Sequence, residues 1–486
     1  MKTENLTSLF VLCMLASCSA SEKNKLESRP NVVFILADDL GYGDVSCYGQ
    51  ERFNTPNIDA LASQGMKFTQ FYAGCTVSAP SRCSLMTGFH TGHAQVRGNR
   101  ELKGEGQLPM AEGTFTIARM FKDNGYVTGA FGKWGLGFPG SEGDPNNQGF
   151  DEFFGYNCQR QAHRYYPSHL WHNQEKVLLE GNDTKTKADY APDLIHEKAL
   201  EFIRSNRDKP FFAFIPVIQP HAELLVPEDS IIEKYRGKFP EIPFISDKKG
   251  AEYGDPDFDV KAYCSQPEPH ATFAAMVSRI DKYVGDVVNL LEELNIDNNT
   301  IVIFSSDNGP HLEGGADPDF WNGNGDFSGY KRSMTDGGIR VPMIIKWGNK
   351  IKAGSISKHI GAFYDFMPTF ADLLGADIPA TDGISFLPTL TGDGEQKNHE
   401  FLYWEHAGNV AIRMGDWKAI RMGLLKDKDA PLKLYNIKND VAEISDVSSE
   451  NSEIASKAME IMKREHTVNY NYPLYASERK KINMLY

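Results

Sequence analysis

The 486-residue chain is poor in the features that mark several classes of protein. It has seven cysteines, two of them (Cys13 and Cys18) near its start, and no Cys-x-x-Cys pair. The other five (Cys47, Cys75, Cys83, Cys158 and Cys264) are too few in so long a chain for a disulfide framework. One bridge among them stays open, and no pairing follows from their spacing. A thiolate metal site has no ligand pair to start from. Cationic residues are also short: 51 Lys+Arg against 65 Asp+Glu give a formal charge of −14. That balance excludes a nucleic-acid partner, and it admits a polyanion only at a locally basic pocket. Beyond residue 15 no apolar run is long enough for a transmembrane helix. No repeat or low-complexity tract is visible, and with 41% hydrophobic and 24% charged residues the chain is not broadly disordered.

What is present begins with a targeting segment. Residues 6–15 form a short apolar run of signal-peptide length. Leu15-Ala16-Ser17-Cys18 follows and resembles a bacterial lipobox, with an ordinary secretory signal as the alternative. The expected organisation is therefore a lipoprotein signal peptide over 1–17, lipidation at Cys18 and a polar tether over 18–30. Such a protein is exported and held at the bacterial membrane by its lipid alone, facing the periplasm or the cell surface.

Residues 31–37 (NVVFILA) are continuously apolar, which suits a strand buried on both faces of a parallel sheet. Thr55-Pro56 opens a helix. Further helices are expected over 115–124 and 191–205, and a long one carries Met276, Ile280, Val284, Val287, Leu291 and Leu294 at helical spacing. Strand-like runs follow them at 126–131, 210–215 and 300–304. Strands alternating with helices mean an α/β fold around a large, mostly parallel sheet. This unit is expected over 31–390. Beyond a polar stretch at 389–398, short strands and a last helix over 450–465 predict a small α+β C-terminal subdomain over 391–486.

In parallel sheets, sites gather beyond the carboxyl ends of the strands. Asp38-Asp39 and Asp307-Asn308 both stand there. One such pair alone is usually a turn or a cap. Two of them make an all-oxygen site suited to a hard cation such as Ca²⁺ or Mg²⁺ rather than zinc.

Ser78-Ala79-Pro80-Ser81-Arg82, with Met86-Thr87-Gly88 after it, resembles the sulfatase signature. Gly132-Lys133-Trp134-Gly135-Leu136-Gly137 resembles the second signature of that family. Pro220-His221, Ser306-Asp307-Asn308-Gly309, and Lys331 ahead of Gly337-Gly338-Ile339-Arg340-Val341-Pro342 resemble further family blocks. The resemblance spans nearly the whole chain after residue 30. It implies an alkaline-phosphatase-like sandwich, conversion of Ser78 to formylglycine, and one Ca²⁺ held by Asp38, Asp39, Asp307, Asn308 and the modified Ser78. A serine at position 78, where other members have cysteine, implies a serine-type radical maturase as a biosynthetic partner. The hydrated aldehyde supplies one hydroxyl to attack sulfur and a second whose proton loss expels sulfate. Arg82, Lys133 and Lys331 would meet the developing negative charge, and His221 would protonate the leaving oxygen.

Singly, Arg82, Lys133 and Lys331 also read as solvated or ion-paired residues, and His221 as a loop histidine. Their joint order favours the functional reading. One departure stands out: many sulfatases carry His where this chain has Gly135, so the resemblance implies either a replacement, His311 or His163, or a slower second step. His163, Arg164 and His311 are the substrate-binding candidates. The aromatics over 162–171 and Phe320-Trp321 suit either a sugar face or internal packing. Blocks resembling N-acetylgalactosamine-6-sulfatases and arylsulfatases imply a sulfated carbohydrate substrate. The expected ester is 6-O-sulfated galactose or N-acetylgalactosamine, cleaved in exo fashion because the surface around the basic pocket is acidic. The alternatives are a phosphatase or phosphodiesterase using unmodified Ser78, and an inactive binder of sulfated glycans.

Overall fold

The computed structural model describes residues 29–183, 186–247 and 262–479. The expected signal peptide, the Cys18 lipidation site and the tether up to residue 28 lie outside the described residues.

Ten strands form the main sheet: β1 Asn31–Asp38, β2 Met66–Phe68, β3 Val127–Lys133, β4 Glu152–Tyr156, β5 His169–His172, β6 Glu175–Leu178, β7 Phe211–Pro220, β8 Thr300–Ser306, β9 Met343–Trp347 and β10 Ser355–Ser357. Their order is β10-β2-β9-β8-β1-β7-β3-β4-β5-β6. The central five, β8-β1-β7-β3-β4, are parallel, and the sheet becomes mixed only towards its edges. The apolar run at the start of the chain is therefore the middle strand, buried at all eight positions.

Alternate residues of β1 feed two cores. Val33, Ile35 and Ala37 pack with helices α1 (Pro56–Gln64), α4 (Ala191–Ser205) and α5 (Pro269–Glu293). Val32, Phe34 and Leu36 pack on the other face with α2 (Ser78–Thr87), α3 (Ile117–Asp123) and α6 (Phe366–Leu374). This is the expected sandwich. The aromatic stretch over 162–171 is largely structural: Tyr165 and Tyr166 enter a core, and 169–172 is β5 rather than loop. Trp321 is likewise buried, and Phe320 stacks on His270. The packing alternative holds for these rings.

The C-terminal subdomain is a four-stranded antiparallel sheet, β11 Leu402–His406, β12 Asn409–Met414, β13 Trp417–Arg421 and β14 Leu432–Asn436. One face packs on Tyr72, Ile339 and Tyr364 of the large unit. The other is covered by α7, Ser452–Glu465, as the sequence predicts. Lys418 of β13 crosses the junction to Asp336 at 2.7 Å and also meets Glu443 at 3.3 Å, all three buried. Cys47, Cys75, Cys83 and Cys158 carry free thiols. No helix among the described residues is long and apolar enough to cross a membrane.

Candidate active site

The parallel strands end side by side, so their last residues form a row. Ala37 of β1 is in register with Ser306 of β8, which sets Asp38-Asp39 beside Asp307-Asn308. On the other side of β1, β7 ends at Pro220-His221, and β3 beyond it ends at Lys133. Asp39 takes φ 63°, and this turn directs its N–H to Asp307 Oδ1 at 3.1 Å. A non-glycine residue there is sparsely populated and marks a site where the surroundings dictate the backbone.

The helix carrying the Ser78 motif begins at Ser78 itself, after an extended Val77, and Pro80 sits in the first turn, where its missing N–H costs nothing. Spacing of four puts Ser78 and Arg82 on one helix face. That face meets the row. Ser78 Oγ donates to Asp38 Oδ1 at 3.0 Å, and Lys133 Nζ lies 2.7 Å from Asp38 Oδ2 and 3.5 Å from Ser78 Oγ. Arg82 binds Asp307 Oδ2 through Nε at 3.0 Å and through its terminal nitrogen at 2.9 Å, and donates to the Lys133 carbonyl. Lys331 Nζ donates to Asp39 Oδ2 at 2.7 Å and to His221 Nε2 at 2.9 Å.

Asp38, Asp39 and Asp307 present oxygens within 4.8 Å of one another and are all fully buried. Arg82, Lys133 and Lys331 balance them one for one. Burial raises the Asp38 carboxyl, but Lys133, His221 and Arg82 outweigh it and hold its pKa well below the usual range. Burial and the neighbouring Asp38 push Asp307 up to about 7. Asn308 donates through Nδ2 to Asp39, while its Oδ1 has no partner among the described residues. Three convergent carboxylates and an orphaned amide oxygen suit a hard divalent cation, and none of these donors favours a soft one.

Lysine can only donate, so His221 Nε2 accepts from Lys331 and its Nδ1–H donates to the Ala222 carbonyl at 2.5 Å. Burial, reinforced by Lys331, keeps the His221 pKa well below its ordinary value. Burial opposes the charge on Lys331, but Asp39 and Glu313 outweigh it and raise its pKa. The proton of this pair rests on lysine.

Of the substrate candidates, His163 stacks on His221 at 4.7 Å and His311 stacks on it at 5.4 Å. Arg164 instead forms a buried ion pair with Glu223 at 2.5 Å. Neither histidine occupies the place of a residue-135 side chain. Gly135 has φ 80°, and a Cβ built there would lie 1.9 Å from Gln159 Nε2. Sequence reasoning missed Gln159, because a lone glutamine carries no motif. It also missed Glu313, which lies 3.2 Å from His311, 3.8 Å from Lys331 and 2.6 Å from Arg332.

Residues 30–376 match the family model described as Sulfatase, and residues 325–468 match one described as N-sulphoglucosamine sulphohydrolase, C-terminal. The chain belongs to the sulfatase family. It is a sulfuric ester hydrolase with the alkaline-phosphatase-like fold. It is 30% identical over 412 residues to N-acetylgalactosamine-6-sulfatase of Canis lupus familiaris, covering 80% of this chain and 71% of that one. It is 27% identical over 516 residues to N-acetylgalactosamine-6-O-sulfatase of Bacteroides thetaiotaomicron, covering 93% and 96%. The crystal structure of Ps i-CgsB in complex with k-i-k-neocarrahexaose superposes with a TM-score of 0.72 at 28% identity, over 90% of this sulfatase and 92% of that chain.

Proposed function

We propose that this sulfatase hydrolyses O-sulfate esters on carbohydrates with Ser78 matured to formylglycine and one Ca²⁺ ion at Asp38, Asp39, Asp307, Asn308 and residue 78. The carrying observation is Ser78 at the first turn of its helix, hydrogen-bonded to the carboxylate cluster and 3.5 Å from Lys133 Nζ. Such an end favours an anionic oxygen. The bound cation would lower the pKa of the attacking hydroxyl and take charge from the sulfate oxygens. The hydrated aldehyde at 78 would supply the attacking hydroxyl and a second one whose proton loss expels sulfate.

The chain's own groups complete the chemistry. Arg82 and Lys133 hold positive charge beside residue 78, where the sulfuryl group must sit. The Lys331–His221 pair holds one proton between Nζ and Nε2 and delivers it to the leaving sugar oxygen as the S–O bond breaks. Both members are buried, so water does not compete for that proton.

Of the two expected esters, 6-O-sulfated galactose and N-acetylgalactosamine, the names of the relatives support the N-acetylgalactosamine one, and the net charge of −14 favours a terminal residue over the middle of a polyanion. Export, lipidation at Cys18 and modification by a serine-type radical maturase belong to the same reading, supported by the lipobox and by Ser78. The test is sulfate release from a panel of positionally sulfated monosaccharides and matched oligosaccharides, using protein co-produced with the maturase. Preference for terminal 6-O-sulfated galactose or N-acetylgalactosamine is expected. Efficient release from internal positions of an intact polymer would contradict exo action. Incorporation of a labelled fatty acid that is lost on Cys18→Ala checks the anchor.

A further inference from the structure

The row of strand ends continues one strand beyond the catalytic lysine. β4 lies next to β3, with Lys133 in register with Tyr156. The pairing runs on past both strands: Trp134 N–H donates to the Tyr156 carbonyl and Gly135 N–H to the Asn157 carbonyl, each at 2.9 Å. Asn157 and Gln159 therefore stand at the carboxyl edge of the sheet beside the Lys133-to-Gly135 segment. Gln107 joins them, its Oε1 accepting the Gln159 N–H at 3.4 Å.

These three amides are buried and under-used. Gln107 and Asn157 are fully buried, and Gln159 is 2% exposed, no deeper than the 1% exposed Ser78. Both side-chain polar atoms of Asn157, both of Gln159 and Nε2 of Gln107 have no partner among the described residues. A buried, unpaired amide atom forfeits its hydration without a replacement partner, so several together in one place call for a ligand-side explanation. The glycine at 135 is part of the arrangement. With φ 80° and its Cβ position 1.9 Å from Gln159 Nε2, residue 135 must lack a side chain for the glutamine to lie where it does.

We infer that Gln107, Asn157 and Gln159 form a subsite for hydroxyl groups of the sugar that carries the sulfate ester. The inference rests on the sulfated-carbohydrate reading above and adds which part of the substrate is recognised, and by what. The chemistry separates hydroxyl from sulfate. A sulfate group only accepts hydrogen bonds, so it would leave the carbonyl oxygens of Asn157 and Gln159 unpaired. A hydroxyl both donates and accepts, and neighbouring sugar hydroxyls can engage the amide N–H and C=O groups together. Neutral amides also add no charge beside Lys133, which leaves the cations to the sulfuryl group. A site built this way discriminates strongly against a substrate lacking the hydroxyl, because the buried amides then stay unpaired.

The test compares two esters on the matured protein: a sulfated monosaccharide it hydrolyses, and an aryl sulfate, which has no sugar hydroxyls. The quantity read is the ratio of their kcat/KM values. Gln159→Leu is expected to lower that ratio roughly ten- to a hundredfold. The wild-type protein is expected to discriminate by at least about tenfold against the same monosaccharide with its hydroxyls O-methylated, and this arm needs no variant to fold. A ratio unchanged by Gln159→Leu, with both esters slowed alike or neither slowed, would overturn the subsite. So would equal turnover of the methylated and parent sugars. Failure of the wild-type protein to cleave sugar sulfates while it cleaves the aryl sulfate would remove the carbohydrate reading and the subsite with it, whereas normal sugar cleavage with an unmoved ratio removes the subsite alone.

Discussion

Replacing Lys331 with methionine probes the proton-holding pair directly. The ammonium sits 2.7 Å from Asp39 and 2.9 Å from His221, and it is the only cation that joins those two groups among the described residues. A unit charge roughly 4 Å from developing negative charge is worth about 4 kcal/mol at an effective dielectric of about 20. That corresponds to roughly a thousandfold in rate. Methionine keeps the length of the stem, so the loss reports charge and proton more than packing. Lys331→Met should therefore lower kcat/KM by about 10²–10⁴ for a sugar sulfate, whose alkoxide must be protonated as it leaves. For a nitrophenyl sulfate, whose phenolate leaves without a proton, the loss should be several-fold smaller. His221 should also titrate closer to its ordinary pKa, because Lys331 is among the groups depressing it. Steady-state kinetics on both esters across pH is the assay. Equal losses on the two esters, or a sugar-sulfate loss under tenfold, would refute the role assigned to the pair.

Three further outcomes follow from the packing and charge. Without the proposed cation, Asp307 should have a pKa near 7 against an unfolded value near 3.8. A raised carboxyl binds its proton more tightly when folded, so the cation-free protein should lose stability as pH rises from about 4 to 7. Added Ca²⁺ should remove that part of the slope, which melting profiles with and without the ion would show. Lys418→Met leaves Asp336 and Glu443 buried without their shared cation and should cost about 3–5 kcal/mol, read from denaturant midpoints. Gly135→His places a Cβ against Gln159 at φ 80° and should destabilise by roughly 2–5 kcal/mol. Gln159→Gly in the same chain should recover part of that loss, and no recovery would deny that the two positions compete for one space.

Much of the site was legible in the sequence because it stands at strand ends. The run 31–37 marked the central strand, and the polar residues after it and after the 300–304 run had to emerge at one sheet edge. Ser78 and Arg82 were legible as a helix-face pair within a specific motif. Arg164 was not, since nothing in its neighbours announces Glu223, a partner 59 residues away. The strand at 169–172 was hidden by aromatics that also suit a sugar-binding loop, and only its pairing with β4 and β6 decides the matter. Gln159 was invisible for a different reason: its position is defined by the missing side chain of a residue on the neighbouring strand segment. The absence of His at 135 was legible, but what fills its place depends on the register of β3 and β4.

The central claim is that residue 78 works as formylglycine beside a cation and not as plain serine. Peptide mass spectrometry of the protein co-produced with a serine-type maturase tests it most directly. The peptide containing residue 78 should be lighter by two hydrogen atoms, and sulfate-ester turnover should rise with the modified fraction and vanish in Ser78→Ala. Full sulfatase activity from a chain carrying only unmodified serine, or phosphatase activity in its place, would contradict it.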